Sequence, residues 1–152
     1  MKSSGFTRST AECSFSEFPP VFIRSVKTFE EMYHVGDLES EVLGCFLTTN
    51  HKKGFLGKVT TSQTVICMTK RFLLWGIYKD EKDEGVAAAQ WSEVSDIWDW
   101  ETSEGGQLFE DHGVEVFGFQ CLNSRRSRAF IGLGNDEAGS RCRTLMKEMI
   151  KK

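Results

Sequence analysis

Nucleophilic catalysis needs a serine or cysteine beside a histidine base, and the three histidines of this chain are poorly placed for that role. His34, His51 and His112 each fall at the end of a predicted helix or in a predicted loop, and no G-x-S-x-G or cysteine signature accompanies them. Isolated polar histidines of this kind are typical of a protein surface. The sequence therefore predicts a protein that is not an enzyme. The alternative is a small enzyme whose catalytic site forms no recognisable sequence pattern.

Two other patterns could bind phosphate or supply paired carboxylates. Gly132-Leu133-Gly134 precedes a helix, but Glu137 occupies the third glycine position of a dinucleotide motif and no strand follows that helix. Asp96, Asp99 and Glu101 could supply a catalytic carboxylate pair, but a solvated, acidic strand face is the more typical interpretation of such acids. Neither pattern predicts a cofactor.

Basic residues gather in two predicted loops and form the first candidate binding site. Lysine contributes a point charge to an anion, and arginine contributes a forked set of donors that suits phosphate. The candidate anion-binding residues are Lys52, Lys53, Lys58, Arg125, Arg126 and Arg128.

Trp98 and Trp100 form the second candidate site. Strand alternation places both on one face and places Ile97 and Asp99 on the other. If Ile97 faces the core, both tryptophans are exposed beside acids, which suits a protein-binding patch. If a bulge reverses the register, both tryptophans pack inward. The pattern leaves these two alternatives open.

Composition limits the class of protein. The 152 residues are 39% apolar and 27% charged, which is typical of one globular domain. A net charge of −3 argues against a general nucleic-acid binder. No 18-residue apolar run and no signal-like stretch is present, and five widely spaced cysteines include no C-x-x-C pair, so no metal site is expected. We therefore predict a cytoplasmic protein with buried, reduced cysteines.

The elements that must position these residues follow from periodicity. Residues 1–20 are rich in serine and threonine and end at Pro19-Pro20, which predicts a flexible tail. Residues 21–37 are predicted to be a linker with a short helix, opened by a capping box at Thr28–Glu31 and closed by Gly36. The seven predicted strands are 42–47, 64–68, 72–78, 86–91, 97–100, 114–119 and 129–133.

A terminal amphipathic helix follows the strands, capped by Asn135 or Asp136. Its apolar stripe consists of Ala138, Cys142, Leu145, Met146, Met149 and Ile150. Seven short strands followed by one helix predict a mainly β, α+β fold, in which two small antiparallel sheets leave an open end that the helix covers.

Residues 38–152 resemble the pleckstrin-homology (PH) superfold, including bacterial PH-like and GRAM-type domains. The hairpin at 65–75, with its Thr69-Lys70-Arg71 turn, is similar to the second-to-third-strand hairpin of that family, and Trp91–Ile97 is similar to the segment between its fourth and fifth strands. The resemblance implies a barrel or sandwich of about seven antiparallel strands capped by a C-terminal α-helix.

The resemblance also implies that the loops around 51–58 and 125–128 lie at one open end, where their basic side chains can converge on an anionic headgroup. Two departures weaken this expectation. The acidic loop Asp80–Glu84 lies at the same end and would repel an anion, and the spaced lysines and arginines with which the family binds phosphoinositides are absent.

The function predicted on these grounds is a non-catalytic PH-like module that binds a protein partner through a sheet edge or through the face bearing Trp98 and Trp100. The alternative within binding is weak peripheral association with anionic membrane lipid through the basic loops. Nucleic acid is not expected as a partner.

Overall fold

The structure is a computed structural model that describes residues 2–3, 6–79, 85–99, 109–110, 112–118 and 128–151. These residues form three sheets and two α-helices. The strands are β1 (Lys2–Ser3), β2 (Phe6–Glu12), β3 (Val42–Lys53), β4 (Val59–Thr69), β5 (Phe72–Tyr78), β6 (Ala87–Gln90), β7 (Asp96–Asp99), β8 (Phe109–Glu110), β9 (Val114–Phe117) and β10 (Arg128–Ile131). The helices are α1 (Pro20–Tyr33) and α2 (Glu137–Ile150).

The largest sheet is antiparallel throughout, with the strand order β2-β3-β4-β5-β6. It is covered on both faces, which explains why β4 ends in six consecutive buried residues instead of an alternating pattern. Val65 and Cys67 face the core under α1, whereas Ile66 and Met68 face a second core. The sheet is thus the middle layer of the domain.

A three-stranded antiparallel sheet, in the order β10-β9-β7, encloses the second core together with α2. Val114 and Val116 of β9 and Ile131 of β10 point into this core. Helix α2 approaches β3 so closely at Gly44 that a Cβ atom there would lie 2.8 Å from Cδ2 of Leu145. The remaining sheet is the parallel pair of β1 and β8.

The seven strands predicted from the sequence are confirmed as β3 to β7, β9 and β10, and the predicted terminal helix is confirmed as α2. Asp136 is its N-cap, because its carboxylate accepts the backbone N–H of Gly139 at 2.8 Å. The fold is a mainly β, α+β fold, and among the described strands no sheet closes on itself.

The prediction of a flexible tail is wrong for residues 6–20, because β2 pairs with β3 along seven residues. Within the hydroxyl-rich segment that suggested a tail, the polar groups of Thr10 form hydrogen bonds with distant residues. The Thr10 hydroxyl lies 2.9 Å from that of Thr48 and accepts the N–H of Gly134, and the N–H of Thr10 donates to Asp136. A polar residue such as Thr10 can therefore lie buried in a strand here, because its hydrogen-bonding groups find distant partners.

The predicted short helix is also wrong in its extent. Helix α1 begins at Pro20, whose missing N–H is harmless in a first turn, and Thr28 lies in its interior instead of capping it. It ends where His34 adopts the left-handed conformation. Its buried stripe of Val21, Phe22, Val26 and Phe29 packs on the outer face of the five-stranded sheet.

The Thr69-Lys70-Arg71 turn has a structural role. The Thr69 hydroxyl accepts the N–H of Phe72 at 2.9 Å, and Arg71 donates to both the Glu41 carboxylate and the carbonyl of Val35. The hydrogen bonds from Arg71 lower the pKa of Glu41. The turn between β4 and β5 is thereby attached to the segment that follows α1.

Candidate functional site

The outward side of the three-stranded sheet presents three aromatic rings, Trp98, Phe117 and Phe130, which we call the aromatic face. Ile97 is buried in the core, so alternation turns Trp98 outward, and 51% of its surface is exposed. Of the two alternatives for Trp98, the exposed one is therefore observed. Trp100 lies outside the described residues.

The rings of the aromatic face are held by contacts within the sheet. The centroids of Trp98 and Phe117 are 4.9 Å apart, with their planes inclined at 55°. The indole N–H of Trp98 donates to the carboxylate of Asp96 on the same strand. Because the polar group of the indole is already bonded, the exposed part of Trp98 offers mainly hydrocarbon to a partner.

Arg128 lies on this face and is bonded to a carboxylate. Its Nε donates to Oε2 of Glu115 at 2.5 Å, and its guanidinium carbon lies 5.2 Å from the centroid of Phe117. The hydrogen bond to Glu115 raises the pKa of Arg128. Glu115 is only 4% exposed, so Arg128 neutralises a buried charge. Its role as an anion-binding residue stays a prediction.

Arg8 joins the aromatic face to the five-stranded sheet and was not singled out by the sequence. Its guanidinium carbon lies 5.6 Å from the ring centroid of Phe130, and its Nη1 donates to Oδ1 of the buried Asn50 at 2.5 Å. Gly132 permits this approach, because a Cβ there would lie 2.5 Å from the same nitrogen. The sequence carried no signal for this residue, since its role depends on contacts far along the chain.

The predicted lysines lie at the turn between β3 and β4, which we call the basic hairpin tip: Lys52, Lys53, Leu56, Lys58 and Val59. Leu56 adopts a left-handed φ of 66° and is 92% exposed, and Val59 is also exposed. The sequence pattern predicted a role for the lysines and gave no sign that Leu56 and Val59 are exposed beside them. Arg125 and Arg126 lie outside the described residues, so their predicted convergence with this tip is not described.

The histidines are engaged in local structure. His34 ends α1, the ring of His51 lies 3.1 Å from the Thr61 hydroxyl, and the carbonyl of His112 accepts a hydrogen bond from Arg143. In the described part of the chain, no three His, Cys, Asp or Glu side chains are grouped as a metal site would require.

Two grooves flank α1. The larger, about 750 Å³, runs between the start of α1 and the strands β3, β4 and β5, and its lining includes Glu17, Arg24, Gln63 and Tyr78. The smaller, about 420 Å³, is lined by Arg24, Phe29 and Met32 among others. Neither lining, over the residues that the structure describes, contains a histidine or a cysteine.

No family model, curated protein or solved structure matches this chain. The class is therefore defined by the molecule's own architecture, a mainly β, α+β domain with one aromatic sheet face and one basic hairpin tip. Neither described helix combines the length and the apolar character needed to cross a membrane.

Proposed function

We propose that this protein is a non-catalytic PH-like interaction module that binds a protein segment through the aromatic face. The observation that carries the proposal is the half-exposed Trp98 on an ordered sheet. Tryptophan and arginine are the residues most enriched at the energetic centres of protein interfaces. A large ring that is fixed before binding loses little conformational freedom on contact, so its apolar surface contributes efficiently to affinity.

The order of the elements supports the PH-like part of the proposal. Four consecutive antiparallel strands, β3 to β6, precede β7, β9 and β10 of the second sheet, and α2 follows. This is the order of strands and helix that the resemblance to the PH superfold implies. Strand β2 and helix α1 would then be additions that cover one edge and one face of the first sheet.

Charge complementarity favours a basic partner, because the arginines at the aromatic face, Arg8 and Arg128, are already bonded within the protein. Strand β7 lies within the segment Asp80–Asp111, in which eleven acids and one base give a balance of −10. Asp96 stands directly beside the exposed indole. We infer that the partner is an extended basic segment with an apolar side chain that packs on Trp98.

Selection from a random peptide library tests this proposal, because it does not require the partner to be identified first. Basic peptides with an aromatic or aliphatic residue are expected to be selected, and Trp98→Ala is expected to weaken their binding by about 30-fold, the loss typical of an interface hot spot. Titration calorimetry measures the affinities. Ile77→Ala removes an equally exposed apolar side chain from the five-stranded sheet and is the matched control.

The expected result is a large loss for Trp98→Ala and no loss for Ile77→Ala. Peptides that bind equally well to the wild-type protein and to Trp98→Ala would exclude the aromatic face as the binding surface. Selection of acidic peptides would overturn the inferred charge of the partner. The affinity of those peptides for Trp98→Ala would then still decide whether the aromatic face is the binding surface.

The basic hairpin tip favours a second candidate function, weak peripheral binding of anionic membrane lipid. Leu56 is almost fully exposed among Lys52, Lys53 and Lys58, and an apolar side chain surrounded by cations suits the boundary between headgroups and acyl chains. Each basic residue near an anionic surface contributes about 1 kcal/mol, so three lysines alone give roughly a hundredfold preference for acidic vesicles.

Vesicle sedimentation tests this second function. We expect weak binding to phosphatidylserine-containing vesicles at physiological salt, stronger binding at low salt, and none to neutral vesicles. Leu56→Ala should reduce binding and Lys52→Glu with Lys53→Glu should abolish it, whereas Leu43→Ala, at the opposite end of β3, should have no effect. Equal binding to neutral and acidic vesicles would contradict the electrostatic argument.

A further inference from the structure

Three cysteines lie in one row across adjacent segments of the five-stranded sheet. The register of β3 and β4 places Cys45 opposite Cys67. Cys13, the residue that follows β2, donates its backbone N–H to the carbonyl of Cys45 at 3.0 Å and so continues the row on the other side. We call these residues the cysteine row.

The pair Cys45–Cys67 is of the non-hydrogen-bonded type. Within a β-strand the N–H and C=O of one residue point to the same side, and the carbonyl of Cys45 points to Cys13, so neither group is directed at β4. In such pairs the Cα atoms are about 4.5 Å apart, which lies within the range that a disulfide spans. The two thiols also influence each other's acidity, because the pKa of Cys45 is lowered and that of Cys67 is raised by their mutual interaction.

The three thiols differ in access and in acidity. Cys45 and Cys67 are buried beneath α1, whereas Cys13 is partly exposed at the sheet margin. The hydrogen bond from Cys67 lowers the pKa of Cys45, and the same bond together with burial raises the pKa of Cys67. Burial raises the pKa of Cys13 to about 11. Solvent therefore reaches the row at Cys13, and the more acidic buried thiol is its immediate neighbour.

We propose that the cysteine row is a site of oxidative modification, at which a small-molecule disulfide reacts with Cys13 and the end product is a disulfide between Cys45 and Cys67. No step requires a metal or an enzyme. Because the row holds three thiols, two can be joined in a disulfide while the third, Cys13, returns to its reduced form.

The reaction balances in three exchanges. The Cys13 thiolate attacks one sulfur of the disulfide RSSR, which forms a mixed disulfide and releases RS⁻. The Cys45 thiolate attacks the Cys13 sulfur and displaces the second RS⁻. The Cys67 thiolate then attacks the Cys45 sulfur, which forms the Cys45–Cys67 bond and returns Cys13 as a thiolate. Two thiols lose two electrons and two protons, and RSSR is reduced to two RSH.

Treatment of the folded protein with oxidised glutathione tests the proposal. The expected product carries no glutathione on Cys13, Cys45 or Cys67, and yields a linked Cys45–Cys67 peptide, two hydrogen masses lighter than the two free peptides, on digestion under non-reducing conditions. Because the thiolate fraction of Cys13 grows with pH far below its pKa, the rate is expected to rise about tenfold per pH unit between about pH 7 and pH 9. A protein that stays fully reduced, or that links other cysteines, would overturn the proposal.

Single variants separate the three roles. Cys67→Ser is expected to stop the reaction at a Cys13–Cys45 disulfide, and Cys45→Ser at a glutathione adduct on Cys13. Cys13→Ser is expected to slow oxidation at least about tenfold, because the remaining thiols of the row are buried. Cys121→Ser is the control and should leave the product and the rate unchanged. An undiminished rate in Cys13→Ser would show that the disulfide reaches the buried pair directly and would refute the role of Cys13.

Discussion

Replacing Phe22 with alanine is expected to lower the free energy of unfolding by about 3–5 kcal/mol. The side chain has no exposed surface and lies between α1 and the outer face of the five-stranded sheet. Its ring makes edge contacts with Phe18 at 5.0 Å and with Tyr78 at 6.0 Å between centroids, so truncation leaves a cavity bordered by rigid rings. Urea denaturation of both proteins measures the difference.

Arg24→Ala is the matched control for Phe22→Ala, because Arg24 lies on the same helix and is exposed. It is expected to change the free energy of unfolding by less than about 0.5 kcal/mol. A similarly small loss for Phe22→Ala would mean that α1 does not pack on the sheet in solution, and residues 20–33 would then be a linker after all.

Met146→Ala is expected to cost about 2–5 kcal/mol, because Met146 is completely buried between α2 and the two sheets. Leu145→Ala should cost less, since Leu145 is only partly buried beside this core. The difference between the two neighbours tests the rotation of α2 about its axis as well as its position. Thermal and urea unfolding of both variants provide the comparison.

The exposed Glu148 provides the control on α2, and Glu148→Ala should be close to neutral. If Met146→Ala cost less than about 0.5 kcal/mol, the helix would be docked elsewhere or not docked. If Leu145→Ala cost more than Met146→Ala, the helix would be rotated relative to the orientation described above.

Periodicity predicted the elements after residue 41 well, because these strands and the terminal helix contain recognisable apolar patterns. The buried run of β4 and the stripe of α2 are visible without any tertiary information. Strand β2 was missed because its polar composition resembles a tail, whereas Thr10 is stabilised by partners outside its own segment, Thr48 and Asp136. Helix α1 was predicted too short because Pro19-Pro20 ends a loop and begins a helix with equal ease.

The candidate sites were predictable only where charge or alternation determines them. The lysines of the basic hairpin tip follow from composition, and the outward position of Trp98 follows once Ile97 is assigned to the core. The exposure of Leu56 depends on a left-handed turn residue that its type does not favour. The cysteine row depends on the register of three strands, to which the spacing of residues 13, 45 and 67 gives no clue.

The two hydrogen bonds that Asp136 accepts affect the order in which the chain can fold during synthesis. One oxygen of its carboxylate caps α2 and the other accepts the N–H of Thr10, 126 positions earlier in the chain. Arg141 of α2 also pairs with Glu12 at the end of β2. During synthesis on the ribosome, β2 leaves the exit tunnel long before these partners exist, so the Thr10 N–H and the Glu12 carboxylate must wait for them. Strand β2 can therefore pair with β3 first, and its contacts with Asp136 and Arg141 are expected to form only after α2 has emerged.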